Sequence, residues 1–188
     1  MEKNNEICFN LSGSSVDWRN REFREAFEIN EFIKYYFLLH DIRLLIHKKS
    51  EKPDYFLKKL NTSEIIGVEL TSVYLSNYSV PHQHMKDGLK CIPYDEEKLL
   101  QYGKRLVETV KIKIKKAQSG YDRVHPLYLS IYVNEYISIY MDEKYWRNLI
   151  FENAAIFSDI QPFSEILFWP INDESAMSVK LGGEIVIK

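Results

Sequence analysis

The sequence is poor in the residues that several common chemistries require. Only two cysteines, Cys8 and Cys91, occur in 188 residues, far apart and without a Cys-x-x-Cys pair. That disfavours a thiolate zinc site and a disulfide framework alike. Seven glycines are present, and none falls in a G-x-G-x-x-G or G-x-x-x-x-G-K arrangement, so dinucleotide and P-loop folds have no support. No stretch reaches the roughly 18 consecutive apolar residues of a membrane helix. The opening MEKNNEICFN lacks the basic-then-apolar build of a secretory signal. A cytoplasmic protein with no membrane partner is the expectation. Neither charge dominates: 25 Lys+Arg stand against 27 Asp+Glu, a formal net charge of −2, so nucleic-acid binding would have to come from a local basic patch. Serine and histidine occur without a G-x-S-x-G elbow, which removes acyl transfer.

What remains is an ordinary globular composition, 45% hydrophobic and 28% charged. It predicts an N-terminal arm or peripheral strand over residues 1–16 and a single domain over 17–188. From Asp17, a candidate N-cap, the segment DWRNREFREAFEINEFIKYYFLLH has helical spacing, with Ile29, Phe32, Ile33, Tyr36 and Phe37 on one apolar face. Glu25 shares that face and needs an explanation there; Glu22 is its nearest competitor. Three strands follow: IRLLIHKK, then Pro53-Asp-Tyr-Phe-Leu, a polar turn, and IIGVELTSVYL. In the third, Ile66, Val68 and Leu70 point one way, Gly67, Glu69 and Thr71 the other.

Residues 76–95 read as a long irregular excursion. The segment DEEKLLQYGKRLVETVKIKIKKAQSG carries both start and stop signals of a helix. Its apolar stripe runs through Leu99, Leu106, Val107, Val110, Ile114 and Ala117, and Lys113 flanks it, the lysine best placed to reach inward. The strand PLYLSIYV, a short helix or two half-helices over KYWRNLIFENAAIFSD, the strand SEILFWPIN and a closing hairpin through Gly182-Gly183 complete the chain. The order predicts an α/β fold with a mixed central sheet flanked by helices.

Asp54 opens one strand, and Glu69 lies 15 residues further on in the next, across a short hairpin. Aspartate after proline is commonly a turn residue, and a single strand glutamate commonly faces solvent. Their pairing, with glycine and apolar alternation around Glu69, favours a site. A hard divalent cation is held by such oxygen ligands, and phosphodiester hydrolysis needs one. Glu51-Lys-Pro-Asp-Tyr-Phe followed by Ile66-Gly-Val-Glu-Leu-Thr resembles the core of the PD-(D/E)XK nuclease-like superfamily.

The resemblance implies a restriction-endonuclease-like αβββαβ core, cleavage of DNA or RNA with Mg²⁺ or Mn²⁺ on Asp54 and Glu69, and help from a first-helix glutamate, here Glu25. Thr71 stands where the family name places lysine, and a hydroxyl cannot replace a cation electrostatically. Either Lys113 substitutes, or the chain is a catalytically inactive binding or assembly module on the same fold. Lys104, Arg105, Lys111 and Lys116 are the expected phosphate contacts, although a lysine-rich helix is usually just a solvated face. Two readings compete for the aromatics: stacking on bases and core packing, the commoner case. They also leave room for a homodimer. His82 and His84, with scattered His40, His47 and His125, make a weak case for a histidine metal site.

Overall fold

A computed structural model describes residues 6–11, 20–76, 88–121, 123–170 and 177–187. Two strands, β1 (Glu6–Leu11) and β5 (Gly88–Pro93), form a separate antiparallel ribbon. The main sheet has seven strands in the order β2-β3-β4-β6-β7-β8-β9. These are β2 (Leu44–Lys49), β3 (Tyr55–Lys59), β4 (Ile65–Val73), β6 (Leu127–Val133), β7 (Phe163–Pro170), β8 (Met177–Lys180) and β9 (Ile185–Ile187). The β2-β3-β4 meander is antiparallel, β4-β6-β7 is parallel, and the last two strands return antiparallel. Parallel neighbours need long crossovers. The first is supplied by α2 (Glu96–Gly120), the second by a 3-10 turn (Tyr136–Tyr140), α3 (Glu143–Glu152) and α4 (Ala154–Phe157). This mixed α/β sheet flanked by helices is the expected architecture, compatible with a restriction-endonuclease-like fold.

Strand alternation divides the core into two layers. On one face, α1 (Arg21–His40) lays Ile29, Phe32, Tyr35 and Tyr36 over Ile66, Val68 and Leu70 of β4 and Tyr128 and Tyr132 of β6. On the other, α2 packs Leu106, Val110 and Ala117 against Leu129, Ile131 and Val133 of β6 and Ile166 and Phe168 of β7. The aromatics are largely spent here. Tyr132 stacks on Trp169 at 4.0 Å between ring centroids, and Trp169 donates to Ser130 Oγ at 2.8 Å, giving that buried hydroxyl its partner.

Several local expectations are corrected. The helix α1 starts at Arg21, capped by Asn20, whose side chain accepts from Glu22 N; Asp17, the expected cap, lies outside the described residues, as do His82 and His84. Phe37 is exposed, and Tyr35 and Leu39 take its place on the buried face. Most of the expected 76–95 excursion is undescribed, but its end forms β5. The cysteines were not expected to bond, yet β1 and β5 pair with Cys8 directly opposite Cys91, and the structure joins them in a disulfide. Such a bond sits uneasily with a reducing compartment. No helix among the described residues is long and apolar enough to cross a membrane.

Gly67 shows how tightly the hairpin is built. A Cβ there would meet Leu127 Cδ2 and Pro53 Cγ, each at 2.7 Å, and neither a buried leucine nor a proline ring can easily withdraw. Gly67→Ala is therefore expected to destabilise the chain by about 1–3 kcal/mol, read as a lowered Tm in thermal denaturation. For the disulfide, mass spectrometry after alkylation should show neither cysteine labelled before reduction and both labelled after it.

Candidate functional site

The site forms where β4 outruns β3. The β3–β4 ladder ends at the pair Tyr55↔Val68, one step before Asp54 would face Glu69. Beyond that pair the edge of β4 has no strand partner among the described residues, and its backbone groups need other ones. Leu70 N donates to Asp54 Oδ2 at 2.7 Å. Leu70 O accepts from Lys113 Nζ at 3.1 Å. Two side chains thus occupy the bonds an adjacent strand would have made, and both bring charge to the strand edge.

Glu69 is 2% exposed. It faces the α2 layer, where Lys113 Nζ donates to Glu69 Oε1 at 2.8 Å and Lys116 Nζ approaches the same oxygen at 3.4 Å. Lys113 and Lys116 are three apart and share a helix face; Val110 and Ala117, packed on either side of Lys113, aim it at the sheet. Glu69 Oε2 is buried with no hydrogen-bond partner in the structure. Burial pushes the Glu69 carboxyl up, but the Lys113 charge and hydrogen bond, with the Tyr121 hydroxyl and the Lys116 charge, together outweigh it and hold the group below its ordinary range. Asp54 shows the opposite balance. Burial, then the Glu69 charge, raise it to about 6, against the Leu70 N–H and Lys113. Glu69 is thus the permanently ionised member of the pair, and Asp54 gives up its proton later.

The buried first-helix acid of this cleft is Glu28, which the sequence reading passed over. Glu25 lies at the rim, bound by Arg21 Nε at 2.6 Å and Lys49 Nζ at 2.8 Å. Its carboxyl is lowered because those two bonds outweigh partial burial. Glu28, nearly one turn further on, is 7% exposed and accepts a hydrogen bond from Ser72 on the β4 edge. Burial raises Glu28 to about 7, against the Ser72 hydrogen bond and the charge of Arg24. A signal was present: Glu28 precedes Phe32 by four residues and Tyr35 by seven, the spacing of the buried stripe.

These groups line one cleft of about 620 Å³ with Arg21, Arg24, Thr71 and Tyr74. Of the expected phosphate contacts, Lys116 reaches this cleft. Lys104 and Lys111 line a different groove, between α2 and α3, with Tyr94, Glu108 and Glu152; Arg105 is exposed and lines neither. His40 lies beside Glu165, Nε2 3.1 Å from Oε2, rather than in the site. Thr71 lines the cleft but contributes no charge, so the cation beside Glu69 comes from α2.

Fold and site together define a mixed α/β protein whose central strand edge carries a cleft lined by four acidic groups, Glu25, Glu28, Asp54 and Glu69, and a lysine, Lys113, paired with Glu69. No protein-family model matches the chain, and no curated protein matches it. Among solved structures, it is similar to SfsA of Pyrococcus furiosus, determined in complex with Ca²⁺, at 13% identity and a TM-score of 0.25. The match covers 89% of this chain and 60% of that one, so the chain spans less than two thirds of its length. A likeness of that size defines no chemistry for this chain.

Glu28 makes the site sensitive to pH. Its folded pKa of about 7 lies above the ordinary carboxyl value. The protonated form is therefore favoured by folding, and that stability is lost as pH rises toward and through 7. Without divalent cations, Glu28→Gln should be more stable than the parent at pH 8, by up to about 3 kcal/mol. The difference should vanish near pH 4–5, as read by denaturant titration across pH.

Proposed function

We propose that the cleft is the active site of a metal-dependent nuclease that hydrolyses phosphodiester bonds of DNA or RNA. The observation that carries this reading is the 2.8 Å contact between Lys113 Nζ and Glu69 Oε1, with Asp54 across the same strand edge. It supplies the cation that Thr71 cannot, and so favours an active site over an inactive module.

The residues present fit a hard divalent cation such as Mg²⁺ or Mn²⁺. Asp54 and Glu69 offer the oxygen ligands; Glu28 lines the same cleft, but its carboxylate does not gather with theirs into a group of three within ligand distance among the described residues. A bound ion would neutralise charge on the scissile phosphate and make water a better nucleophile. The protein's own groups do the rest. Asp54 and Glu28 sit close to neutrality in pH, so each can give up its proton as a cation arrives. Lys113 spends two of its three donors on Glu69 and Leu70 O. The third is left for a phosphate oxygen or an attacking water, where a fixed positive charge stabilises the developing negative one. Arg21 and Lys49 at the rim, with Lys116 inside, give a nucleic-acid backbone cationic contacts along the opening.

The test is incubation of the chain with supercoiled plasmid, single-stranded DNA and RNA in Mg²⁺ or Mn²⁺. Cleavage is expected, and Asp54→Ala and Lys113→Ala should each reduce it by on the order of 10²-fold or more. Cleavage that Asp54→Ala leaves intact would remove the assignment. No cleavage of any substrate, with Mn²⁺ binding also absent by calorimetry, would instead select the inactive module.

A further inference from the structure

Cys8 and Cys91 stand directly opposite each other in the β1–β5 ribbon, and both are exposed to solvent. Their Cα atoms are 4.0 Å apart, the closeness of a cross-strand pair of the non-hydrogen-bonded kind, in which side chains approach most nearly. Glu6 is two residues before Cys8 and so on the same face of β1. Its carboxylate and the two sulfurs all lie within 4.8 Å of one another, and among the described residues they are the one group of three metal-ligating side chains gathered so closely. The ribbon is also clasped independently of the sulfurs. Tyr140 Oη accepts from Ile7 N at 3.0 Å and donates to Ile92 O, which fastens the residue pair beside the cysteines. The Tyr94 ring packs edge-on against Tyr140 at 5.2 Å. Breaking the sulfur bond therefore leaves the two thiols opposed.

Two opposed thiols and a carboxylate are a zinc donor set. With Zn–S near 2.3 Å, a tetrahedral ion asks its sulfurs to stand about 3.8 Å apart, a separation that rotation about the two Cα–Cβ bonds reaches without moving the strands. The carboxylate closes a remaining gap on the order of 1 Å on the flexible stem of an exposed glutamate. Spacing along the chain disfavoured such a site because no Cys-x-x-Cys occurs; the ribbon register supplies the proximity instead. Thiolate sulfur also separates this set from the cleft, whose oxygen donors suit a harder ion.

We propose that the ribbon is a redox-gated zinc site: when reduced, the Cys8 and Cys91 thiolates and the Glu6 carboxylate hold one Zn²⁺, with water in the fourth position, and when oxidised, the disulfide excludes it. The proposal is independent of the nuclease reading. Two small-molecule thiols break the S–S bond, contribute two electrons and two protons, and leave as their own disulfide. Zn²⁺ then takes both sulfurs and releases the two thiol protons. Either crosslink ties β1 to β5, so the strand stays docked in both redox states and only the presence of a metal changes.

The test compares the disulfide form with chain reduced by a phosphine and desalted anaerobically. Against a chromophoric zinc chelator, the reduced chain should retain about one Zn²⁺ and the oxidised chain none. Reduced Asp54→Asn should retain it equally, which keeps the cleft out of the measurement. Cys8→Ser should retain none, and Glu6→Gln should hold it at least about 10-fold more weakly. Co²⁺ gives a second readout on the unsubstituted chain. Cys8 and Cys91 are its only cysteines, so a sulfur-to-cobalt charge-transfer band in the near ultraviolet reports this pair alone, and it should vanish on oxidation. A reduced chain that retains no more zinc than Cys8→Ser, or that shows no such band, overturns the proposal. Zinc retained equally by the oxidised chain, or lost in Asp54→Asn, overturns it as well. Equal affinity in the parent and Glu6→Gln removes the carboxylate from the site.

Discussion

The backbone of Leu70 is the constraint on which the site depends. A strand that outruns its neighbour exposes an N–H and a C=O that must find partners. Here the N–H goes to Asp54 and the C=O to Lys113. Each bond does structural work, and each also places a charged group at the same strand edge. The carboxylate and the ammonium meet there because the sheet has stopped, and the cleft opens where the next strand would have lain. Residues that terminate a ladder have become the residues that line the cleft.

Burial then sorts the acids. Glu69 is almost wholly enclosed, and a lone carboxylate there would be costly. The contact with Lys113, supported by Lys116, keeps it ionised. That fixed negative charge, together with burial, makes ionisation of Asp54 harder, and Glu28 is held back chiefly by its own burial. The outcome is one permanent charge and two groups that titrate near neutrality. A site of this kind resists accumulating negative charge until a cation compensates it, and the cleft is strained electrostatically rather than in its backbone.

How much of this was legible depended on the range of the interaction. The apolar face of α1 followed from helical spacing through Ile29, Phe32 and Tyr36, and the strand alternation of β4 followed from Ile66 to Thr71. Glu25 and Glu28 both fitted the α1 arithmetic, because a broad stripe admits either. Which one is buried depends on where β4 passes beneath the helix, and the hydrogen bond from Ser72 goes to Glu28. The lysines of α2 posed the same difficulty. Seven basic residues on one helix cannot be sorted by counting, and the packing of Val110 and Ala117 is what turns Lys113 inward while Lys104 and Lys111 face α3. The pairing of Cys8 with Cys91 was hidden for a related reason: they are 83 residues apart, and only the β1–β5 register sets them opposite each other.

The sequence by itself determined that Asp54 and Glu69 stand together. A period of two and a short polar turn are local properties, and they put both carboxylates on the same side of one hairpin regardless of what packs above it. Only the tertiary structure decided what surrounds them. The lysine that answers Glu69 and the α1 glutamate in the same cleft come from two other helices. Their arrival depends on how those helices settle on the two faces of the sheet, an outcome of side-chain volume and close packing that no local pattern encodes.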